Sequence, residues 1–327
     1  MPAPSRKRLI LSDRDAVYHV VSRTSCGRFL FEEREMEAFR QMMWKQAAFC
    51  GLQIIAYCVM SNHFHILVRV PQRRDVPDAE LLRRYAAFYE GAKLAPNTLS
   101  PDELAATFQA GGPAADAART KVLRRFFDLS IFLRELKQRF GIWYNKTHRN
   151  KGTIWADRFK SAVVENEASA LSTCAAYIDL NPVRAEMVED PADYRFCTYG
   201  EAMGGSRRAR EALKRAFAGR KRWMEAYRLI LFGKGYGAKG ARGKDHGKIS
   251  SERLKAVIKK GGNVSLQEAL RCRWRFFAEG CVIGRRTFIE EAFRNQRHFF
   301  PARRKLLSTR LKGSDWSDLS TYRVLHE

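Results

Sequence analysis

Val59-Met-Ser-Asn-His-Phe-His-Ile-Leu-Val68 is the stretch on which the reading of this chain turns. It joins two β-rich runs, Leu52–Val59 and His63–Val70, across Met60-Ser61-Asn62, a short polar break that suits a hairpin. On a strand, residues i and i+2 share a face, so His63 and His65 project together while Phe64 points the other way. Two imidazoles held on one face supply part of a metal shell and need an oxygen ligand from elsewhere. Taken alone, the pair reads equally well as two polar positions on a half-buried strand.

Outward from this hairpin, Ala16-Val-Tyr-His-Val-Val-Ser22 reads as a first strand. Glu32 to Cys50 carries apolar residues at 36, 39, 42, 43 and 47, a helical spacing. Residues 91–120, rich in Ala, Gly and Pro, read as an insertion. A helical pattern returns from Leu129 to Thr147, with Trp143 and Tyr144 on it. Thr153–Val164 reads as a strand and Glu167–Leu180 as a helix stopping near Pro182. This order predicts an α+β fold: a ferredoxin-like antiparallel sheet with helices on one face, spanning residues 12–200. A basic α-helical C-terminal region follows. Residues 206–260 hold a helical stretch, 206–232, and a Gly/Lys-rich linker, 233–248. Residues 262–327 read as a small helical module. Ser265 and Glu268 form a capping box opening a helix toward Ala278, Gly280 ends it, and a second helix covers Arg285–Asn295. A helix-turn-helix unit and a plain helical hairpin both fit this pattern.

The formal charge of +25 points to a polyanionic partner. Residues 201–327 hold 31 Lys and Arg against 12 Asp and Glu, so +19 of that charge lies in the last third, as a phosphate clamp requires. The seven cysteines are scattered without a C-x-x-C pair, which excludes a zinc ribbon or disulfide framework and fits a reducing cytosol. The start leads into no long apolar run, and no stretch approaches the roughly 18 apolar residues of a membrane span. The expectation is a cytoplasmic protein, nucleoid-associated when bound to DNA, with no membrane partner.

The second informative stretch is Ala176-Tyr177-Ile178-Asp179-Leu180-Asn181-Pro182. Helical residues at i and i+4 stack on one face, which sets the phenol of Tyr177 beside the amide of Asn181. Together these stretches resemble the HUH single-tyrosine transposases, and within them the REP-associated tyrosine transposases. Val59–Val68 is similar to their His-hydrophobe-His motif, and Tyr177-Ile-Asp-Leu-Asn-Pro-Val-Arg-Ala185 to their nucleophile motif. Tyr18-His-Val-Val-Ser-Arg23 and Trp155-Ala-Asp-Arg-Phe-Lys-Ser161 agree, and the resemblance covers about residues 15–200.

The resemblance implies that His63, His65 and Asn181 bind a divalent cation and that Tyr177 attacks DNA to give a 5′-phosphotyrosine and a free 3′-OH. Imidazole ligands tilt affinity toward Mn²⁺, while abundance favours Mg²⁺. The implied partners are single-stranded or hairpin DNA with imperfect palindromes, and a homodimer is compatible with the family. Arg158, Lys160 and Arg184 lie near the motifs as candidate phosphate contacts. Arg271, Arg273, Arg275, Arg285 and Arg286 are the C-terminal candidates. Trp143, Tyr144 and Trp155 suit either base stacking or the core. Two other readings stay open: a domesticated protein that binds DNA hairpins without cutting them, and a relaxase- or replication-initiator-like nicking enzyme.

Overall fold

The computed structural model describes residues 9–11, 13–233, 265–271, 277, 282–297, 308–311 and 314–322. Strand β1 (Ala16–Arg23) is followed by helix α1 (Glu33–Cys50), then by the hairpin β2 (Gln53–Met60) and β3 (His63–Val70). Four helices come next: α2 (Asp78–Tyr89), α3 (Pro101–Ala110), α4 (Gly112–Leu123) and α5 (Leu129–Thr147). Strand β4 (Lys160–Val164) leads to α6 (Ala168–Asp179) and the short α7 (Asn181–Arg184).

The hairpin closes through Ser61-Asn62, as the polar break predicts, and β3 becomes an inner strand paired antiparallel with both β2 and β1. Burial on both sides explains its unbroken run Phe64-His-Ile-Leu-Val68. Phe64 packs on Phe39 of α1, which meets Phe140 of α5, so these two helices cover one face of the sheet. The periodicity read in α1 is the one it buries, through Met36, Phe39, Met43 and Ala47. The histidine face is covered too: His65 lies against Tyr177 of α6. Helices therefore lie on both faces, where the sequence reading placed them on one.

Two elements differ in extent from the reading. The strand expected over Thr153–Val164 is regular only from Lys160, because Trp155 makes an isolated bridge to Thr24 and the chain bends at 156–158. The insertion at 91–120 contains helix: Ser100 and Glu103 cap each other's backbone at the start of α3.

The largest departure is beyond residue 200. Helices α8 (Thr198–Met203), α9 (Arg207–Arg215) and α10 (Trp223–Phe232) pack into the core, and the Tyr227 hydroxyl donates to buried Asp179 of α6. The stretch 206–232 is thus part of the body that the reading ended near 200. Helix α11 (Leu266–Leu270) opens on the expected Ser265–Glu268 box, and α12 (Arg286–Asn295) matches the expected second helix. Strands β5 (Val282–Arg285), β6 (Thr309–Arg310) and β7 (Leu319–Tyr322) lie around α12 and extend the core into one sheet of order β2-β3-β1-β4-β5-β7-β6. Among the described strands, only β4–β5 is a parallel pair. A separate, purely helical module over 262–327 is therefore not what the described residues form. The expected linker lies almost wholly outside the described residues, as do Arg273 and Arg275.

Candidate active site

The sheet register builds one wall. His63 stands opposite Arg23, His65 opposite Val21, and Val21 opposite Lys160 of β4. Directly opposed residues of an antiparallel pair share a face, so two histidines and two cationic side chains line the same side. Arg23 and Lys160 are exposed there. His63 and His65 ring centroids are 5.1 Å apart.

Helix α6 supplies the other wall. The ring of Tyr177 lies 6.4 Å from that of His65 and 6.3 Å from that of His19, edge-on to both. The phenol is 2% exposed, because the ring of Phe277 stacks on it at 4.3 Å. The guanidinium of Arg184 lies 4.1 Å from the same ring centroid. Arg184 also donates to the carbonyl of Leu270 at 2.7 Å and to the carbonyl of Tyr177. It ties the end of α11 to the tyrosine rather than standing ready for a phosphate.

Asn181 follows one turn later, in α7. Its Nδ2 donates to the carbonyls of Ile178 at 2.9 Å and Tyr177 at 3.4 Å. Carbonyl oxygens only accept, so the amide orientation is fixed and Oδ1 is the atom left to act as a ligand.

The histidine chemistry suits a cation. Asn62 spends its Nδ2 on the carbonyl of Gly27, so its Oδ1 accepts from His63 Nδ1 at 2.7 Å. The neutral His63 ring then carries its lone pair on Nε2. His65 faces His19 through Nδ1 at 2.9 Å, again leaving Nε2 as its ligating atom. Burial lowers His65 well below the ordinary histidine range, and burial likewise lowers His19 to about 4. Among the described residues no three His, Cys, Asp or Glu side chains form a metal cage, so a cation on this pair would take oxygen donors from an amide or a ligand.

Of the remaining candidates, Arg158 is exposed and Arg271 half-buried at the end of α11. Arg285 is committed to Glu165 through its guanidinium, at 2.6 and 2.8 Å, and through its backbone N–H. Arg286 pairs with Glu290 at 2.7 Å. Tyr144 and Trp155 are core residues, and Trp143 packs against that core. The sequence reading missed His19 and Arg23 as neighbours of the pair. Alternation along β1 puts them on one face, but only the register shows which β3 residues they meet.

Comparison with known proteins bears on the half of the site carried by the sheet. Residues 13–80 match the family model of the IS200-like transposases. This IS200-like segment spans β1 to the start of α2 and contains His19, His63 and His65; Tyr177 and Asn181 lie beyond it. A solved structure described as a REP-associated tyrosine transposase bound to a REP hairpin is similar over 63% of this chain and 90% of its own, at 17% identity and a TM-score of 0.39. No curated protein matches the chain. No helix among the described residues is long and apolar enough to cross a membrane.

Proposed function

We propose that this protein is a single-tyrosine DNA strand transferase that cuts and rejoins single-stranded or hairpin DNA with a divalent cation. One observation carries the reading: Tyr177, from a helix over 100 residues away in the chain, lies against the sheet face that bears His63 and His65, its ring 6.4 Å from that of His65 and 6.3 Å from that of His19. The IS200-like match of the histidine half supports it. The relative described as bound to a REP hairpin suggests the kind of DNA, and the charge of +25 supports a polyanionic partner.

In this reading His63, His65 and the Oδ1 of Asn181 would hold Mn²⁺ or Mg²⁺. The cation would withdraw charge from the scissile phosphate and orient it for in-line displacement. The Tyr177 Oη forms a bond to phosphorus as the bond to the 3′ oxygen breaks. The phenolic proton leaves to solvent, and the departing oxygen takes one up as a 3′-OH. The phosphotyrosine keeps the energy of the broken ester, so a second 3′-OH can displace the tyrosine and restore a phosphodiester. Arg23 and Lys160 border the histidines and suit the flanking phosphates.

Burial of Tyr177 beneath Phe277 favours a second reading, a protein that binds hairpin DNA and does not cut it. Incubating a labelled hairpin oligonucleotide with the full chain and Mn²⁺ separates the two. A denaturation-resistant protein–DNA adduct, lost in Tyr177→Phe and His63→Ala, is expected; binding without any adduct supports the second reading instead.

A further inference from the structure

His19 has no part in the reaction just described, yet it is buried between its two halves. Its ring lies nearly parallel to that of His65, with centroids 5.1 Å apart, and meets Tyr177 edge-on. Its Nδ1 lies 2.8 Å from the backbone oxygen of Phe277. That oxygen can only accept, so Nδ1 carries the ring proton of His19. A neutral imidazole has one proton, which makes His19 Nε2 an acceptor. The 2.9 Å contact from Nε2 to His65 Nδ1 then requires His65 to be the donor. Proton positions are therefore set in sequence, from the Phe277 carbonyl through His19 to His65.

We propose that His19 is a positioning residue that locks the orientation and the Nδ1–H tautomer of His65. The proposal rests on the metal reading of His63 and His65. The other tautomer would place an N–H on the atom that must ligate, and an unanchored ring would rotate away from the His63 side. Partners of this kind on ligating histidines typically set metal affinity by about 10–100-fold. The anchor is unusual in coming from Phe277, the same residue whose ring covers Tyr177. Both halves of the site thus register the position of one C-terminal residue.

The test uses the full chain in two measurements. Long-range proton–nitrogen spectra of the histidine rings, recorded without metal, should show His19 and His65 both protonated at Nδ1. An Nε2-protonated His65 overturns the proposal even if no variant folds. The second is a Mn²⁺ titration followed by electron paramagnetic resonance, with circular dichroism as the check on folding. His19→Leu should bind Mn²⁺ about 10–100-fold more weakly. His19→Gln, whose amide oxygen can take the place of Nε2 as acceptor, should recover most of the affinity. A His19→Leu protein that binds Mn²⁺ as the unsubstituted chain does overturns the positioning role. Unchanged binding in His63→Ala overturns the metal reading, and this proposal with it, so the two failures are distinguishable.

Discussion

Replacing Phe277 by alanine should expose Tyr177. Phe277 is 1% exposed, stacks on Tyr177 at 4.3 Å and lies 6.0 Å from the ring of Trp316. Truncating a buried phenylalanine costs about 3–5 kcal/mol, of which the aromatic stack accounts for roughly 1 kcal/mol. Phe277 packs over the histidine face from beyond α11, whereas Phe64 and Phe39 pack on the opposite face under α1 and α5. The loss should therefore weigh on the cover and leave the sheet intact. At about 1.4 kcal/mol per tenfold, the lower figure of about 3 kcal/mol raises the uncovered population roughly 100-fold. Tetranitromethane nitration followed by peptide mass spectrometry reads this directly, with Tyr57, fully buried on the α1 face, as the internal reference. Tyr177 should become strongly labelled in Phe277→Ala while Tyr57 stays protected. Equal protection of both tyrosines refutes the cover, and labelling that rises together at both refutes its local character.

Other perturbations follow from the same geometry. Arg184→Ala removes the donors to Leu270 and Tyr177 and should lower stability by about 2 kcal/mol in urea unfolding; Arg184→Lys should recover little, since one ammonium cannot replace both donors and the planar stack. Glu165→Ala leaves the Arg285 backbone N–H and guanidinium without their shared partner, so amide exchange should accelerate across Val282–Arg285 and stay unchanged in His63–Val70. The hydrogen bond from Arg40 holds Glu37 down at about 2, below its ordinary 4.5. A depressed carboxylate stabilises the fold above its unfolded pKa and loses that contribution as pH falls from about 4.5 through about 2. Glu37→Gln should accordingly flatten acid unfolding in that window by about 1 kcal/mol, the value of a partly screened pair.

The β1-α1-β2-β3 half of the fold was legible because its signals are local. Apolar spacing marks α1, and alternation through His63-Phe64-His65 fixes which side chains share a face before any partner is known. The i, i+4 step from Tyr177 to Asn181 is also local, and the structure keeps both at one helix end, although Leu180 breaks the helix between them. What escaped the sequence depends on long-range partners. The role of His19 needs His65, 46 residues on, and Phe277, 258 residues on. Val282-Ile-Gly-Arg285 is too short to announce a strand, and becomes one only through pairing with β4 and β7. The stretch around Tyr227 reads as an outlying basic helix until its hydroxyl is seen on Asp179. Charge alone marks Arg184 and Arg285 in the sequence, and distant partners claim them: the carbonyl of Leu270, 86 residues on from Arg184, and the carboxylate of Glu165, 120 residues back from Arg285. The Ser100–Glu103 box was present in the sequence, but the Ala-rich segment behind it lacks the apolar period that would have marked α3.

The central claim is that Tyr177 becomes covalently joined to DNA. The full chain, incubated with Mn²⁺ and a hairpin oligonucleotide and then digested, should yield one peptide carrying a nucleotide mass, and fragmentation should place that mass on Tyr177. An adduct on any other residue, or an adduct that forms equally well in Tyr177→Phe, would contradict the account.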